Sequence, residues 1–111
     1  MLTGRPFAEY TDSSGTGLLN LRKKAYDPEL LRLYGIPEIA ECLPPLADSS
    51  AHCGCVTKEA AACTGLPEGI PVCGGMFDID ACAIAMDVSD SVPICVITGT
   101  WSINEYISQE P

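Results

Sequence analysis

Two glycines precede a carboxylate in Gly74-Gly75-Met76-Phe77-Asp78-Ile79-Asp80, and about twenty residues later comes Thr98-Gly99-Thr100-Trp101-Ser102. The free amides and dipole at a helix start favour a carboxylate there, and a carboxylate so placed can accept a proton. Backbone amides in a tight Gly-X turn can face an anion such as phosphate. An acidic base and an anion-facing turn within one short span point to phosphoryl transfer onto a hydroxyl. The same residues also have a plainer use. Gly-Gly before Asp is an ordinary loop and N-cap, and Gly-Thr between β-prone runs is an ordinary hairpin turn. A short Gly-rich segment does not separate the two uses by itself.

The elements that must position these residues are legible in outline. Residues 1–17 read as irregular, with Gly, Ser, Thr and Pro spread through them. Leu18, Leu19 and Leu21 form an apolar step before a polar turn. A helix is expected over about 28–34, with Asp27 as cap, Pro28 at its first position and Gly35 at its end. Leu30, Leu31, Leu33 and Tyr34 would give it an apolar stripe. Residues 36–50 read as loop with one helical turn. A second helix is expected over about 58–64, capped by Thr57 and stopped by Gly65. Ile70 to Cys73 reads as a short strand whose Pro71 marks a start or an edge.

A third helix is expected over about 78–87. Ala81, Cys82, Ala83, Ile84, Ala85 and Met86 are apolar on every side of it, the pattern of a buried helix. Ser89-Asp90-Ser91 is a turn. Val92 to Thr98 reads as a strand, with Trp101 to Ile107 as its antiparallel partner across Gly99-Thr100. Asp80 and Asp87 read as solvated. There is no internal repeat and no low-complexity tract.

The chain has 111 residues and a formal net charge of −9, from fifteen acids against six Lys and Arg. Phosphate-backbone binding needs clustered cations, and Arg22-Lys23-Lys24 is the one small basic cluster, so nucleic acid is not an expected partner. No apolar run approaches the roughly 20 residues of a membrane span. Met1-Leu2-Thr3-Gly4-Arg5-Pro6 lacks the apolar core of a signal peptide. The expected location is the cytoplasm, with no membrane partner.

The seven cysteines are Cys42, Cys53, Cys55, Cys63, Cys73, Cys82 and Cys95. An odd count argues against a closed disulfide framework. His52-Cys53-Gly54-Cys55 invites a zinc reading, but no second Cys or His pair follows at the expected separation. Cys63, Cys73, Cys82 and Cys95 fall within apolar patterns, where free Cys behaves as a small hydrophobe, so buried reduced thiols are expected and no metal site.

Several segments carry a likeness in their order along the chain. They are Thr11-Asp12-Ser13-Ser14-Gly15-Thr16-Gly17-Leu18-Leu19-Asn20, Tyr26-Asp27-Pro28-Glu29-Leu30-Leu31 with Tyr34-Gly35-Ile36, and Leu43-Pro44-Pro45-Leu46. Then come Gly54-Cys55-Val56-Thr57-Lys58-Glu59-Ala60-Ala61, Thr64-Gly65-Leu66-Pro67-Glu68-Gly69-Ile70-Pro71-Val72, and the two segments that open this section. Together, over about residues 5–107, they resemble the middle of a sugar kinase of the FGGY carbohydrate kinase family, within the actin-like ATPase superfamily. Met76-Phe77 and Trp101-Ser102 look closer to its pentulose branch, such as the L-xylulose kinases. Ile79 stands where the family commonly has a polar amide, and Tyr26 where it often has Trp.

The resemblance implies an α/β fold: a fragment of an actin-like ATPase (ribonuclease H-like) two-domain sugar kinase. Residues 1–75 would be the C-terminal part of the first domain. Residues 76–111 would begin the second, as a helix plus β-hairpin. Asp78 would be the catalytic base that takes the proton of the attacking sugar hydroxyl, and Gly99 and Thr100 would meet the nucleotide phosphates. The family's N-terminal phosphate turn and adenosine pocket are not among these residues. ATP and Mg2+ would serve the intact enzyme, with a ketopentose such as L-xylulose as substrate. The chain alone is expected to be inactive, and to self-associate or to complement other kinase segments. Two further classes compete with this reading: a small non-enzymatic acidic interaction module, and a small zinc protein built on His52, Cys53 and Cys55.

Overall fold

The computed structural model describes residues 2–89, 91 and 93–108. The chain divides into two compact units, Met1–Met76 and Phe77–Pro111.

The first unit opens with β1 (Ala8–Glu9), which runs straight into α1 (Tyr10–Ser14). Here the structure corrects the expectation of an irregular segment. The Glu9 carboxylate caps α1, accepting the Thr11 N–H at 2.9 Å and the Asp12 N–H at 3.2 Å. Ser, Thr, Asp and Asn are the preferred caps, so a glutamate in that role leaves no clear mark in the sequence. β2 (Leu19–Asn20) and β3 (Ala25–Tyr26) form a short antiparallel ribbon, with Lys24 at φ 48° in the turn.

α2 (Pro28–Leu33) forms where expected. Asp27 caps it by accepting the Glu29 N–H at 2.9 Å. Asn20 Nδ2 donates to the other Asp27 oxygen at 2.8 Å. Of the expected apolar stripe Leu31 alone is fully buried, while Leu33 and Tyr34 are exposed. A 3-10 turn over Pro37–Cys42 follows, then β4 (Leu46–Ala47), which pairs in parallel with β1. Two residues of pairing on each side leave too short a pattern to read as strands.

β5 (His52–Cys55) pairs antiparallel with β6 (Pro71–Cys73), and an irregularity between His52 and Cys55 shifts the register. Between them lies α3 (Lys58–Thr64), with the Thr57 hydroxyl accepting the Ala60 N–H at 3.2 Å and Gly65 closing it at φ 77°. The buried side chains of this unit are Leu19, Leu31 and Val56 with Glu9 and Ser13.

The second unit has α4 (Asp78–Ala85) and a hairpin of β7 (Ile94–Thr98) and β8 (Ser102–Tyr106). Val92, the expected start of the strand, and Asp90, the middle of the expected turn, lie outside the described residues. The register runs from Ile94 opposite Tyr106 to Thr98 opposite Ser102. Trp101 therefore belongs to a three-residue loop with Gly99 and Thr100, not to the second strand. Ala83 and Cys95 are buried, whereas Ile84 on α4, Met86 just after it, and Ile94 and Val96 on β7 are exposed. The expectation of an enclosed α4 is thus corrected: one face packs, and the rest is uncovered among the described residues. No helix of the described residues is long and apolar enough to cross a membrane.

Candidate functional site

Asp78 is the first residue of α4, with Phe77 in the cap position. It is therefore not the N-cap of the plainer reading. Its Oδ1 accepts the N–H of Ile79 at 2.9 Å. That bond orients the carboxylate at the helix start and leaves its other oxygen for a ligand. The side chain is exposed, as a group that meets a substrate must be.

The loop between β7 and β8 borders the same hollow as Asp78. Asp78, Gly99 and Thr100 all line one hollow of about 590 Å³ within the second unit. Ile79, Ile97, Ile103 and Trp101 give it an apolar wall. The arrangement brings a proton acceptor and the Gly99–Thr100 loop to one hollow. Gly99 does not carry a positive φ, and a Cβ there would meet only the Trp101 carbonyl oxygen, at 3.7 Å. The fold does not require glycine at this place.

The other glycine pair has a different role. The Gly74 N–H bonds the Ala51 carbonyl and the Gly75 N–H the Ser49 carbonyl, each at 3.1 Å. A side chain at Gly74 would collide with the Asp48 carbonyl oxygen. These glycines serve backbone packing in the first unit, and their amides are already used.

Asp80 is not a solvated bystander. It is half-buried beside Glu105 on β8, and burial followed by the neighbouring Asp80 carboxyl pushes the Glu105 carboxyl above the usual glutamate range. Reading the sequence residue by residue missed the pair. The one signal was compositional: residues 77–111 contain no Lys, Arg or His to partner their acids. Asp12, in α1, is exposed.

A second hollow, of about 580 Å³, lies in the first unit and is lined by Arg5, His52, Cys53 and Cys55 among others. His52 Nε2 is 3.6 Å from Cys55 Sγ. Among the described residues no group of three or more His, Cys, Asp or Glu is placed to hold a metal ion. All seven cysteines are free; Cys95 is buried, while Cys63, Cys73 and Cys82 are exposed, against the expectation of burial. Their neighbouring apolar residues suggested cores, but α3, β6 and α4 leave those thiols exposed.

Comparison with known proteins extends this picture. The model of the FGGY family of carbohydrate kinases, N-terminal domain, matches residues 1–85. A probable L-xylulose kinase of Haemophilus influenzae is 41% identical over 102 residues, covering 92% of this chain and 21% of its own. The L-xylulose/3-keto-L-gulonate kinase of Escherichia coli is 37% identical over 108 residues, covering 97% of this chain and 22% of its own. The crystal structure of a ligand-bound xylulose kinase from Lactobacillus acidophilus superposes with a TM-score of 0.77 at 28% identity, over 91% of this chain and 20% of that one. The chain spans about a fifth of the length of the curated relatives it matches. Its α/β fold is a portion of the actin-like ATPase (ribonuclease H-like) fold of these kinases. By the matched residues and by the fold, the chain belongs to the FGGY family of carbohydrate kinases.

Proposed function

We propose that this chain is the part of a carbohydrate kinase that holds the catalytic base and one phosphate-facing loop. In the assembled enzyme it takes part in moving the γ-phosphate of ATP to a sugar hydroxyl. The observation that carries the reading is the meeting of Asp78, Gly99 and Thr100 around one hollow. Asp78 accepts the proton of the attacking hydroxyl. Such a reaction asks little of the protein beyond positioning and charge neutralisation. The names of the relatives favour a ketopentose such as L-xylulose as the acceptor.

The residues present fit a nucleotide in part. The Thr100 hydroxyl and the amides of the Gly99–Thr100 loop suit a phosphate oxygen, and the bare Gly99 leaves room for close approach. Residues 77–111 offer no cation. The phosphate charge must be met by Mg2+ and by groups outside residues 77–111. Bound Mg-ATP supplies the phosphoryl group and the electrostatic relief.

We place the junction of the two kinase domains at residues 75/76. The compact division after Met76 supports this, while the N-terminal family model runs on to residue 85, through α4.

The test is a chimera. This chain replaces the matching stretch of the Escherichia coli L-xylulose/3-keto-L-gulonate kinase, and ketose-dependent ATP consumption is measured. Activity is expected in the chimera and none in the chain alone, whose affinity for Mg-ATP should be no tighter than about millimolar (a free energy of about −4 kcal/mol). A folded but inert chimera, or turnover by the isolated chain, would contradict the proposal.

A further inference from the structure

A nucleophile and a base meet on β5. Cys55 Sγ lies 3.6 Å from His52 Nε2, within hydrogen-bond reach for sulfur, and both residues are exposed. A regular strand would keep them apart. Successive side chains of a strand alternate faces, so residues three apart point to opposite sides, with Cα atoms roughly 10 Å from each other. β5 is not regular here. Its register with β6 shifts between His52 and Cys55, and Gly54 holds φ 123°. An irregularity of this kind re-aims a side chain, and this one brings the Cys55 thiol to the His52 ring. Glycine is needed for it. That φ is rare in any other residue, and a Cβ at Gly54 would come within 3.2 Å of the Thr3 Cβ. His52 is the sole histidine of the chain, so Cys55 alone of the seven cysteines is given an imidazole partner by the described contacts.

The pair borders the hollow of about 580 Å³, which Arg5 also lines. The chain carries fifteen acids, yet among the described residues no Asp or Glu lines this hollow, and Arg5 is its one Lys or Arg. Such a lining favours an anion, and the planar fork of arginine matches a carboxylate. We propose that Cys55 is a thiol–disulfide exchange site for small disulfides that carry carboxylates, with His52 as its base and Arg5 as the partner of a carboxylate. The step balances. His52 Nε2, with the ring proton on Nδ1, takes the thiol proton while Cys55 Sγ attacks one sulfur of the disulfide. A bond forms between Sγ and that sulfur, and the S–S bond of the small molecule breaks. Its electron pair leaves on the second sulfur as a thiolate, which takes the proton back from His52. Cys55 ends oxidised, as a mixed disulfide, and the departing half ends reduced, as a thiol. A free thiol is only slightly ionised at neutral pH, so an adjacent base separates a reactive cysteine from an inert one. Asp78, Gly99 and Thr100 take no part, so this chemistry is independent of the kinase reading.

The experiment exposes the full chain to limiting glutathione disulfide, or to cystamine as a cationic counterpart, at neutral pH and low ionic strength. Peptide mass spectrometry gives the initial rate at each cysteine. Cys55 should form its mixed disulfide with glutathione about tenfold faster than Cys63, an exposed thiol of α3, forms its own. His52→Gln, a change at an exposed residue, should bring the Cys55 rate down to that of Cys63 with both probes. Arg5→Gln should slow the reaction of Cys55 with glutathione disulfide several-fold and leave that with cystamine no slower. A hollow that had merely lost its shape would slow both, so the two probes separate loss of the carboxylate partner from loss of structure. A Cys55 rate no higher than that of Cys63 overturns the proposal. So does a His52→Gln chain that reacts as the wild type does, an Arg5→Gln chain slowed equally with both probes, or labelling of Cys53 ahead of Cys55. None of these readouts needs ATP or sugar, so their failure is distinct from failure of the chimera.

Discussion

The Ser49 hydroxyl donates to Glu9 Oε1 at 2.8 Å, joining two points forty residues apart in sequence. Glu9 is buried, and its other oxygen holds the start of α1 through the Thr11 and Asp12 amides and the Thr11 hydroxyl. Burial by itself would raise the Glu9 pKa, but the hydrogen bonds from Thr11, Ser49 and Asp12 together outweigh it and hold the carboxyl below its usual range. Ser49→Ala should therefore cost about 1–3 kcal/mol, since it strands a buried, charged acceptor. A depressed carboxyl gives stability that is present above its ordinary range and lost as pH falls. Glu9→Gln should remove that part of the acid sensitivity. Urea unfolding of both variants between neutral and acid pH checks this, and an unchanged midpoint for Ser49→Ala would count against it.

Gly99→Ala separates fold from ligand. The position carries no positive φ, and the added carbon meets only the Trp101 carbonyl at an ordinary contact distance. The hairpin should fold as before, with circular dichroism and thermal midpoint unchanged. In the chimera, the methyl group should weaken Mg-ATP binding about tenfold, roughly 1.4 kcal/mol, if phosphate approaches this backbone. Unchanged nucleotide affinity would remove Gly99 from the site.

The apolar surface of the second unit has its own consequence. Ile94 and Tyr106 face each other across the hairpin, both exposed, and Val96, Ile84, Met86 and Trp101 are exposed as well. Uncovered strand edges and apolar patches promote association. Light scattering of the isolated chain should show mass rising with concentration. Val96→Lys, which charges the open face of β7, should reduce that rise. A concentration-independent monomer would speak against exposed faces that need covering.

The sequence was most informative where one residue does one local job. Asp27, Thr57 and Gly65 marked α2 and α3 because caps act through bonds to the next few residues. The hairpin was legible because β7 and β8 are adjacent and each five residues long. β1 and β4 were not, since two-residue strands paired across nearly forty positions leave no period to detect. The burial of α4 was misjudged for a different reason. Apolar composition shows that a surface wants covering, not that the cover lies within these residues. At the site, Asp78, Gly99 and Thr100 stood out by type and spacing. The approach of Asp80 to Glu105 did not, because two acids twenty-five positions apart leave no local pattern.

The kcat of an Asp78→Asn variant in the chimeric kinase tests the central claim most directly. Asn keeps the shape and an oxygen for the Ile79 amide, now held at 2.9 Å by Asp78, but cannot take a proton. Folding and Mg-ATP affinity should stay nearly intact while kcat falls about 10²–10⁴-fold, the usual extent of general-base assistance. Asp87→Asn is the control, because Asp87 is exposed with φ 55°, a conformation that Asn adopts readily, and it should leave kcat unchanged. An Asp78→Asn chimera that keeps most of its kcat, or an Asp87→Asn chimera that loses as much, would contradict the assignment of Asp78 as the base.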